Sequence, residues 1–366
     1  MKFVSITYTR KPKFSEPLAW LHRVRGYISI LEALSQKNEV VSIDRINYTG
    51  NLTINGVQHL FPDAGTSRLS ASWRINRHAK SFRPDVVLVQ GMIFPIEVIL
   101  LRLQVGRKVK IIVQNHSELP GLRRRKRLQQ LADPFVDAYL FTAKEQGEEW
   151  IEQRIIRRPE KIWQVMEASS LFLSGDRLSN KARLGITADP MFLWVGRLDT
   201  NKDPLTVVNA FLKFSGSKPH ARLYMLFHTR ELLPDIEDLL DTVAGSREKV
   251  FLAGEKTHDE MEQWYNATDY VISGSHYEGG GIAVCEAMSC GCIPILTDIL
   301  SFRMMTGNGS CGILYPPGDA DALLSALKQI TIAPRQEEKQ KVLTQFKKEL
   351  SSEAIADTIH AIAVSL

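Results

Sequence analysis

Cysteine is scarce in this chain of 366 residues: Cys285, Cys290, Cys292 and Cys311 are the only four, and all fall in one short stretch of the second half. That excludes a disulfide framework for a chain this long, and Cys290-Gly291-Cys292 is one residue too tight for a CxxC zinc or redox pair. The thiols are expected to be buried apolar side chains, and no metal follows from them. Hydrophobic runs are short as well. None approaches the roughly 18 apolar residues that cross a bilayer, and Met1-Lys2-Phe3-Val4-Ser5-Ile6 enters a strand-like pattern without the apolar stretch and small-residue cleavage site of a signal peptide. The cytoplasm is the expected compartment. No solenoid-type repeat occurs, and 44% hydrophobic with 24% charged residues excludes disordered, collagen-like and coiled-coil classes.

At roughly 150 residues per domain the length favours two domains. Charge divides the chain too. Up to residue 175, 27 Lys and Arg stand against 16 Asp and Glu, which leaves 19 against 25 beyond it, so the two parts carry +11 and −6. The basic part suits an anionic surface or a phosphate-bearing substrate.

Strand-length apolar runs alternate with stretches of helical period, which points to βαβ units and parallel sheets. Strands are expected at 3–8, 39–44, 86–90, 110–114 and 138–142, with helices at 17–36, 93–104 and 143–154 between them. The segment Gly50 to Ser70 is expected to be an inserted hairpin, and the charged stretch Asp176 to Pro190 a linker. The alternation then restarts with strands at 191–195, 221–227, 250–253, 270–273 and 293–296, and helices at 204–214, 232–243, 258–266, 282–289 and 319–331. Residues 351–365 complete the pattern as an amphipathic helix. An α/β protein of two doubly wound domains about a cleft follows, with ligands expected at the carboxyl ends of the strands.

Two strand-to-helix loops carry the chemistry. In Ser275-His276-Tyr277-Glu278-Gly279-Gly280-Gly281-Ile282 a strand gives way to three glycines and then a helix, which bares backbone amides for phosphate or sugar oxygens. Glu278 sits at the loop mouth and Glu286 about a turn into the helix. In Val195-Gly196-Arg197-Leu198-Asp199-Thr200-Asn201-Lys202-Asp203-Pro204, Arg197 and Lys202 can grip a diphosphate from two sides, Arg by its planar fork and Lys as a point charge.

Together these loops resemble the retaining glycosyltransferases of GT-B fold in glycosyltransferase family 4, the glycosyl transferases group 1. Across about residues 190–330 the likeness also takes in Asn266-Ala267-Thr268-Asp269, Ala287-Met288 followed by Gly291 and Pro294, and Gly312-Ile313-Leu314-Tyr315-Pro316-Pro317-Gly318-Asp319. It implies a GT-B architecture of two Rossmann-like domains: residues 1–175, joined by a helix returning at about 351–366, for the acceptor, and 190–350 for the nucleotide sugar. In that pattern Gly196, Arg197 and Lys202 hold the diphosphate, and Glu286 accepts the ribose hydroxyls. Glu278 and the amides of Gly280, Gly281 and Ile282 hold sugar and phosphate, Glu255 lines the base pocket, and His116 faces the reacting sugar. His116, Arg197, Lys202 and Glu278 are thus the implied catalytic set. No cofactor is implied beyond the donor itself, with a UDP-sugar ahead of a GDP-sugar, and retention is pictured as same-face attack. The chain departs from the pattern at Tyr8-Thr9-Arg10-Lys11-Pro12, where a glycine pair is usual, and at Val165-Met166-Glu167-Ala168-Ser169, which replaces a Pro-Asn-Gly turn. Gly280 stands for a frequent Phe and opens space near the donor sugar.

No Asp-x-Asp stands at a strand end, and Asp319-Ala320-Asp321 reads as a helix cap, so a metal-independent reaction is expected. The run Arg123-Arg124-Arg125-Lys126-Arg127 is either a solvated helix face or a contact with anionic lipid headgroups or a lipid-diphosphate acceptor on the inner membrane face. No aromatic interleaving accompanies it, so nucleic acid is not expected. The expected function is transfer of a sugar from a nucleotide sugar to a glycan or lipid-linked hydroxyl. The rivals are a glycoside hydrolase pairing Glu278 with Glu286, and a catalytically silent nucleotide-sugar or membrane-binding protein.

Overall fold

A computed structural model describes residues 1–63, 65 and 67–366. The chain forms two compact units, Met1–Ser169 with Ser352–Leu366, and Ser170–Ser351.

The first unit holds eight strands, β1 (Lys2–Lys11), β2 (Glu39–Ile46), β3 (Gly50–Ile54), β4 (Val57–Phe61), β5 (Val86–Gln90), β6 (Lys110–Gln114), β7 (Ala138–Phe141) and β8 (Ile162–Gln164), in the order β3-β4-β2-β1-β5-β6-β7-β8. All neighbours run parallel except β3 and β4, which form a hairpin through Asn55 and Gly56, both at positive φ as a two-residue primed turn demands. The expected segment Gly50 to Ser70 is thus a hairpin at its start; its residues 64 and 66 lie outside the described residues. β5 and most of β6 and β7 are buried, as unbroken apolar runs in a parallel sheet should be. The helix expected at 17–36 breaks at Val24 into Pro17–Arg23 and Arg25–Ser35. The C-terminal helix Ser352–Ser365 packs in this unit, where Ser352 Oγ donates to Ser29 Oγ at 2.7 Å and Lys37 pairs with Asp357 at 2.7 Å.

The second unit holds β9 (Met191–Val195), β10 (Arg222–Leu226), β11 (Val250–Gly254), β12 (Tyr270–Ser273), β13 (Ile293–Thr297) and β14 (Ile313–Tyr315), all parallel, in the order β11-β10-β9-β12-β13-β14. Each unit is therefore a doubly wound Rossmann-like sheet whose direction of winding reverses at one place, between β1 and β5 in the first and between β9 and β12 in the second. Residues 176–190, expected as a linker, carry instead the helix Arg177–Arg183. Asp176 caps it by accepting from Ser179 N at 2.7 Å, because a short run of polar residues can be helical when its inner face is anchored by charge. The anchor is buried Asp269, which accepts from Arg177 Nη1 at 2.5 Å, Lys181 Nζ at 3.0 Å and the Met191 amide at 2.8 Å. Asn266 in turn takes the Gly175 amide at 2.5 Å and donates to Leu173 O at 2.9 Å. The Asn266-Ala267-Thr268-Asp269 motif is architecture. The four cysteines are free and buried, and burial raises every one of their pKa values, that of Cys290 and of Cys311 to about 12.

Candidate active site

The two loops singled out in the sequence leave β9 and β12, the adjacent strands where the second sheet reverses its winding. Asn201 sews them together: its backbone carbonyl accepts from His276 N at 2.8 Å, its Oδ1 from Tyr277 N at 3.1 Å, and its Nδ2 donates to Tyr277 O at 3.0 Å. The approach is close enough that a Cβ on Gly274 would lie 2.9 Å from Asp203 O and 3.2 Å from Lys202 O, so only glycine fits. Asp203 adopts a left-handed conformation, φ 42°, and its side chain caps the helix Pro204–Ser215 by accepting from Thr206 N at 3.2 Å.

This seam brings Lys202 Nζ into an ion pair with Glu278 Oε1, which also accepts from Ser275 Oγ at 2.8 Å. Arg197 is half exposed and its Nε meets Asp199 Oδ2 at 3.1 Å, while the other oxygen of Asp199 accepts the Lys202 amide at 3.0 Å. Asp199 therefore shapes the loop that carries both cations. Gly196 lets the chain turn beside the Trp194 ring, which a Cβ there would approach at 3.1 Å.

Gly281 precedes the helix Ile282–Ser289 in the left-handed region, φ 56°, and a Cβ on it would meet the Phe302 ring at 2.8 Å. Gly280 is buried beside it and Ile282 is exposed. Ile282 and Ala283 open this helix, where the first amides have no intrahelical acceptor and the helix dipole favours an anion. One turn in, Glu286 Oε2 accepts from the Tyr265 hydroxyl at 3.1 Å, and its Oε1 lies 3.9 Å from His258 Nδ1. Tyr265 and His258 were not marked by the sequence; both come from the helix His258–Ala267, whose start is fixed by a capping box between Thr257 and Glu260. Glu255 is exposed in the loop between β11 and that helix. Asp319 is a helix cap, accepting from Asp321 N at 3.0 Å and Ala322 N at 2.8 Å.

His116 belongs to the first unit, in the loop after β6. Glu118 ties that loop by taking the His116 amide at 2.7 Å and the Met92 amide at 3.2 Å. The ring bonds Glu167 Oε2 through Nδ1 at 2.6 Å and Gln90 Oε1 through Nε2 at 2.8 Å. Burial lowers the ring's proton affinity, but the hydrogen bond and charge of Glu167, with the charge of Glu118, outweigh it and leave the pKa raised above the ordinary histidine value. Of the implied site residues, the second unit thus gathers Gly196, Arg197, Lys202, Glu278, Gly280, Gly281, Ile282 and Glu286 on two adjoining loops and one helix, and holds Glu255 on the loop after its edge strand.

With this geometry in place, residues 176–349 match the family model of glycosyl transferases group 1. The matched residues all lie within the second unit. Among curated relatives, a GDP-mannose:cellobiosyl-diphosphopolyprenol alpha-mannosyltransferase of Xanthomonas oryzae pv. oryzae is 32% identical over 143 residues, covering 38% of this chain and 36% of the relative. A D-inositol 3-phosphate glycosyltransferase of Thermobispora bispora is 24% identical over 190 residues, covering 48% and 44%. The chain therefore spans less than half the length of the relatives it matches. Solved structures agree in fold over the whole chain. The sucrose-phosphate synthase of Thermosynechococcus elongatus superposes with a TM-score of 0.70 at 16% identity over 100% of this chain and 98% of that one. Anabaena HepE in complex with UDP does so with a TM-score of 0.69 at 14% identity over 100% of both. The fold is GT-B.

Proposed function

We propose that this chain transfers a sugar from a nucleotide-diphosphate sugar to a hydroxyl of a glycan or lipid-linked acceptor, with retention of anomeric configuration and without a metal ion. The observation that carries the reading is the seam at the β9/β12 reversal, where the loop bearing Arg197 and Lys202 is held against the loop that opens the helix Ile282–Ser289. A departing diphosphate is the anion such a place suits, because its charge grows as the sugar leaves. Glu286, oriented by Tyr265, is the acceptor for ribose hydroxyls, and Glu278, oriented by Ser275 and Lys202, for sugar hydroxyls. Glu255 borders the base and His116 faces the sugar. The acceptor oxygen attacks the face that the diphosphate leaves: the C1 bond to diphosphate breaks, the C1 bond to the acceptor forms, and the acceptor proton passes to the diphosphate.

UDP is proposed ahead of GDP as the carrier. HepE is described with UDP, whereas the Xanthomonas relative is named for GDP-mannose, so both belong in the test. The hydrolase reading fares worse, since Glu278 already accepts from Lys202 and Ser275 and is in no position to serve as the proton donor a glycosidase needs. The chain is further proposed to work at the cytoplasmic membrane face, with Arg123 to Arg127 against anionic headgroups; among the described residues no helix is long and apolar enough to cross a membrane. A thermal-shift screen of UDP- and GDP-sugars followed by a transfer assay in excess EDTA tests the proposal. Stabilisation by one donor and EDTA-resistant transfer are expected. Stabilisation by none, or activity that returns only with Mg²⁺ or Mn²⁺, refutes the donor or the metal-free step respectively.

A further inference from the structure

Both nitrogens of the His116 ring are engaged. Nδ1 lies 2.6 Å from Glu167 Oε2, and a carboxylate only accepts, so Nδ1 carries a proton. Nε2 lies 2.8 Å from Gln90 Oε1. This orientation of the Gln90 amide is the one that lets its Nε2 donate to the Tyr27 hydroxyl at 2.6 Å, and Tyr27 in turn reaches Ser5 Oγ at 2.8 Å. With a carbonyl facing it, Nε2 carries a proton as well. Side chains from β1, the helix Arg25–Ser35, β5, the loop after β6 and the loop after β8 thus form one hydrogen-bonded chain that ends on a carboxylate.

We propose that Glu167 is a positioning residue that holds His116 as a doubly protonated imidazolium, so that His116 brings a fixed positive charge, not a proton-accepting nitrogen, to sugar transfer. The proposal rests on the reading of His116 as facing the reacting sugar. It deepens that reading, because an imidazolium has no lone pair with which to take the acceptor's proton, which leaves the departing diphosphate as its destination. Glu167 lies in Val165-Met166-Glu167-Ala168-Ser169, the segment at which this chain departs from the Pro-Asn-Gly turn of the family it resembles.

Removing the Nε2 proton would place a lone pair against the Gln90 carbonyl. The amide must then turn over and offer its NH₂ to the ring, and Tyr27 must donate to Gln90 in place of Ser5. Charge on His116 and the orientation of three further side chains are coupled. The ionisable groups facing the ring are Glu167, Glu118 of its own loop and, through Gln90, the Tyr27 hydroxyl, whose pKa burial raises. Glu118 also holds two backbone amides, so Glu167 is the cleaner site for substitution.

The test is Glu167→Gln in the full chain, with the His116 Cε1 proton titrated by NMR and transfer measured from pH 6 to pH 8 with the donor found by screening. The ring is expected to titrate at lower pH in the variant. Transfer is expected to stay within about 3-fold of the parent at pH 6 and to fall by roughly a further 10-fold by pH 8, as an imidazolium lost at lower pH in the variant requires. Glu167→Asp, which keeps the carboxylate, should recover part of both, and it carries the titration if Glu167→Gln does not fold. An unchanged His116 titration, or a loss of transfer equal at every pH, overturns the proposal. If the parent uses no nucleotide sugar, the transfer reading fails by itself, while the titration still reports whether Glu167 holds the charge.

Discussion

Lys202 and Glu278, 76 residues apart in the chain, form an ion pair that closes the seam between the two loops at the winding reversal of the second sheet. The pair sets two functional groups against each other. A diphosphate arriving at Lys202 would compete with Glu278 for the ammonium, and a sugar hydroxyl arriving at Glu278 would replace the ammonium as its hydrogen-bond partner. Ser275 keeps Glu278 in place through either exchange.

Removing a clamp cation should therefore weaken the chemical step more than ground-state binding, because the charge on the diphosphate is largest in the transition state. Arg197→Ala and Lys202→Ala are each expected to lower turnover on the order of 100-fold. The double variant should cost less than the product of the two, since both act on one group. Steady-state kinetics with the donor found by screening check this; near-normal turnover in both single variants would refute the clamp.

Tyr265 buries its ring completely and spends its hydroxyl on Glu286. Tyr265→Phe keeps the ring and leaves the carboxylate without that donor, at a cost of about 1 kcal/mol or several-fold. The donor KM should rise by that factor with kcat nearly unchanged, because ribose is remote from the bond that breaks. A fall in kcat with KM constant would place Glu286 elsewhere in the mechanism.

The strands Val86–Gln90, Lys110–Gln114, Met191–Val195 and Tyr270–Ser273 were legible because parallel strands buried on both faces are short, unbroken apolar runs, and the helix Ile282–Ser289 because three glycines announce it. The helix Arg68–Ser81 was not, since its buried face is Ala71, Ser72, Ile75, Asn76 and Ala79, a stripe too polar to mark a period. The helix Arg335–Gln345 buries only Val342 and hides for the same reason. At the site, Arg197, Lys202, Glu278 and Glu286 lie in dense local motifs. Gln90, Tyr27 and Glu167 lie in separate segments, and only the winding of the first sheet brings them to His116.

His59, on β4, is fully buried with neither ring nitrogen hydrogen-bonded, and burial lowers its pKa to about 4. The unfolded chain binds this proton near pH 6.5 and the folded one only near pH 4, so its contribution to stability is complete above about pH 6.5 and is lost as pH falls through that window. The loss amounts to no more than about 3 kcal/mol. Urea unfolding of the parent at pH 7.5, 6 and 5 should show the decline, and His59→Phe should flatten it. An equally steep decline in the variant would assign it to other groups.

The helix Arg123–Ala132 is held by its inner face: Gln129 is buried, accepts the Gly121 amide at 2.9 Å and donates to Met92 O at 3.2 Å. Its outer face therefore has a fixed direction, with Arg123, Arg124, Arg125 and Arg127 exposed. A solvated basic face needs no apolar neighbours. Here Leu119, Leu122 and Leu131 are 61%, 80% and 59% exposed alongside the cations, a pairing that suits headgroup charge together with shallow insertion into a bilayer. Each cation near an anionic surface gains roughly 1 kcal/mol, and the gain falls with salt. Arg124→Ser with Arg127→Ser should thus weaken binding to phosphatidylglycerol vesicles by about 30-fold at low salt while leaving the weak binding to neutral vesicles unchanged. Leu122→Ser should weaken binding to both, because insertion does not depend on lipid charge. Sedimentation with vesicles of the two compositions at 50 and 500 mM salt separates the contributions. Equal binding of the parent to both lipid types, or none to either, would leave the run as a solvated helix face.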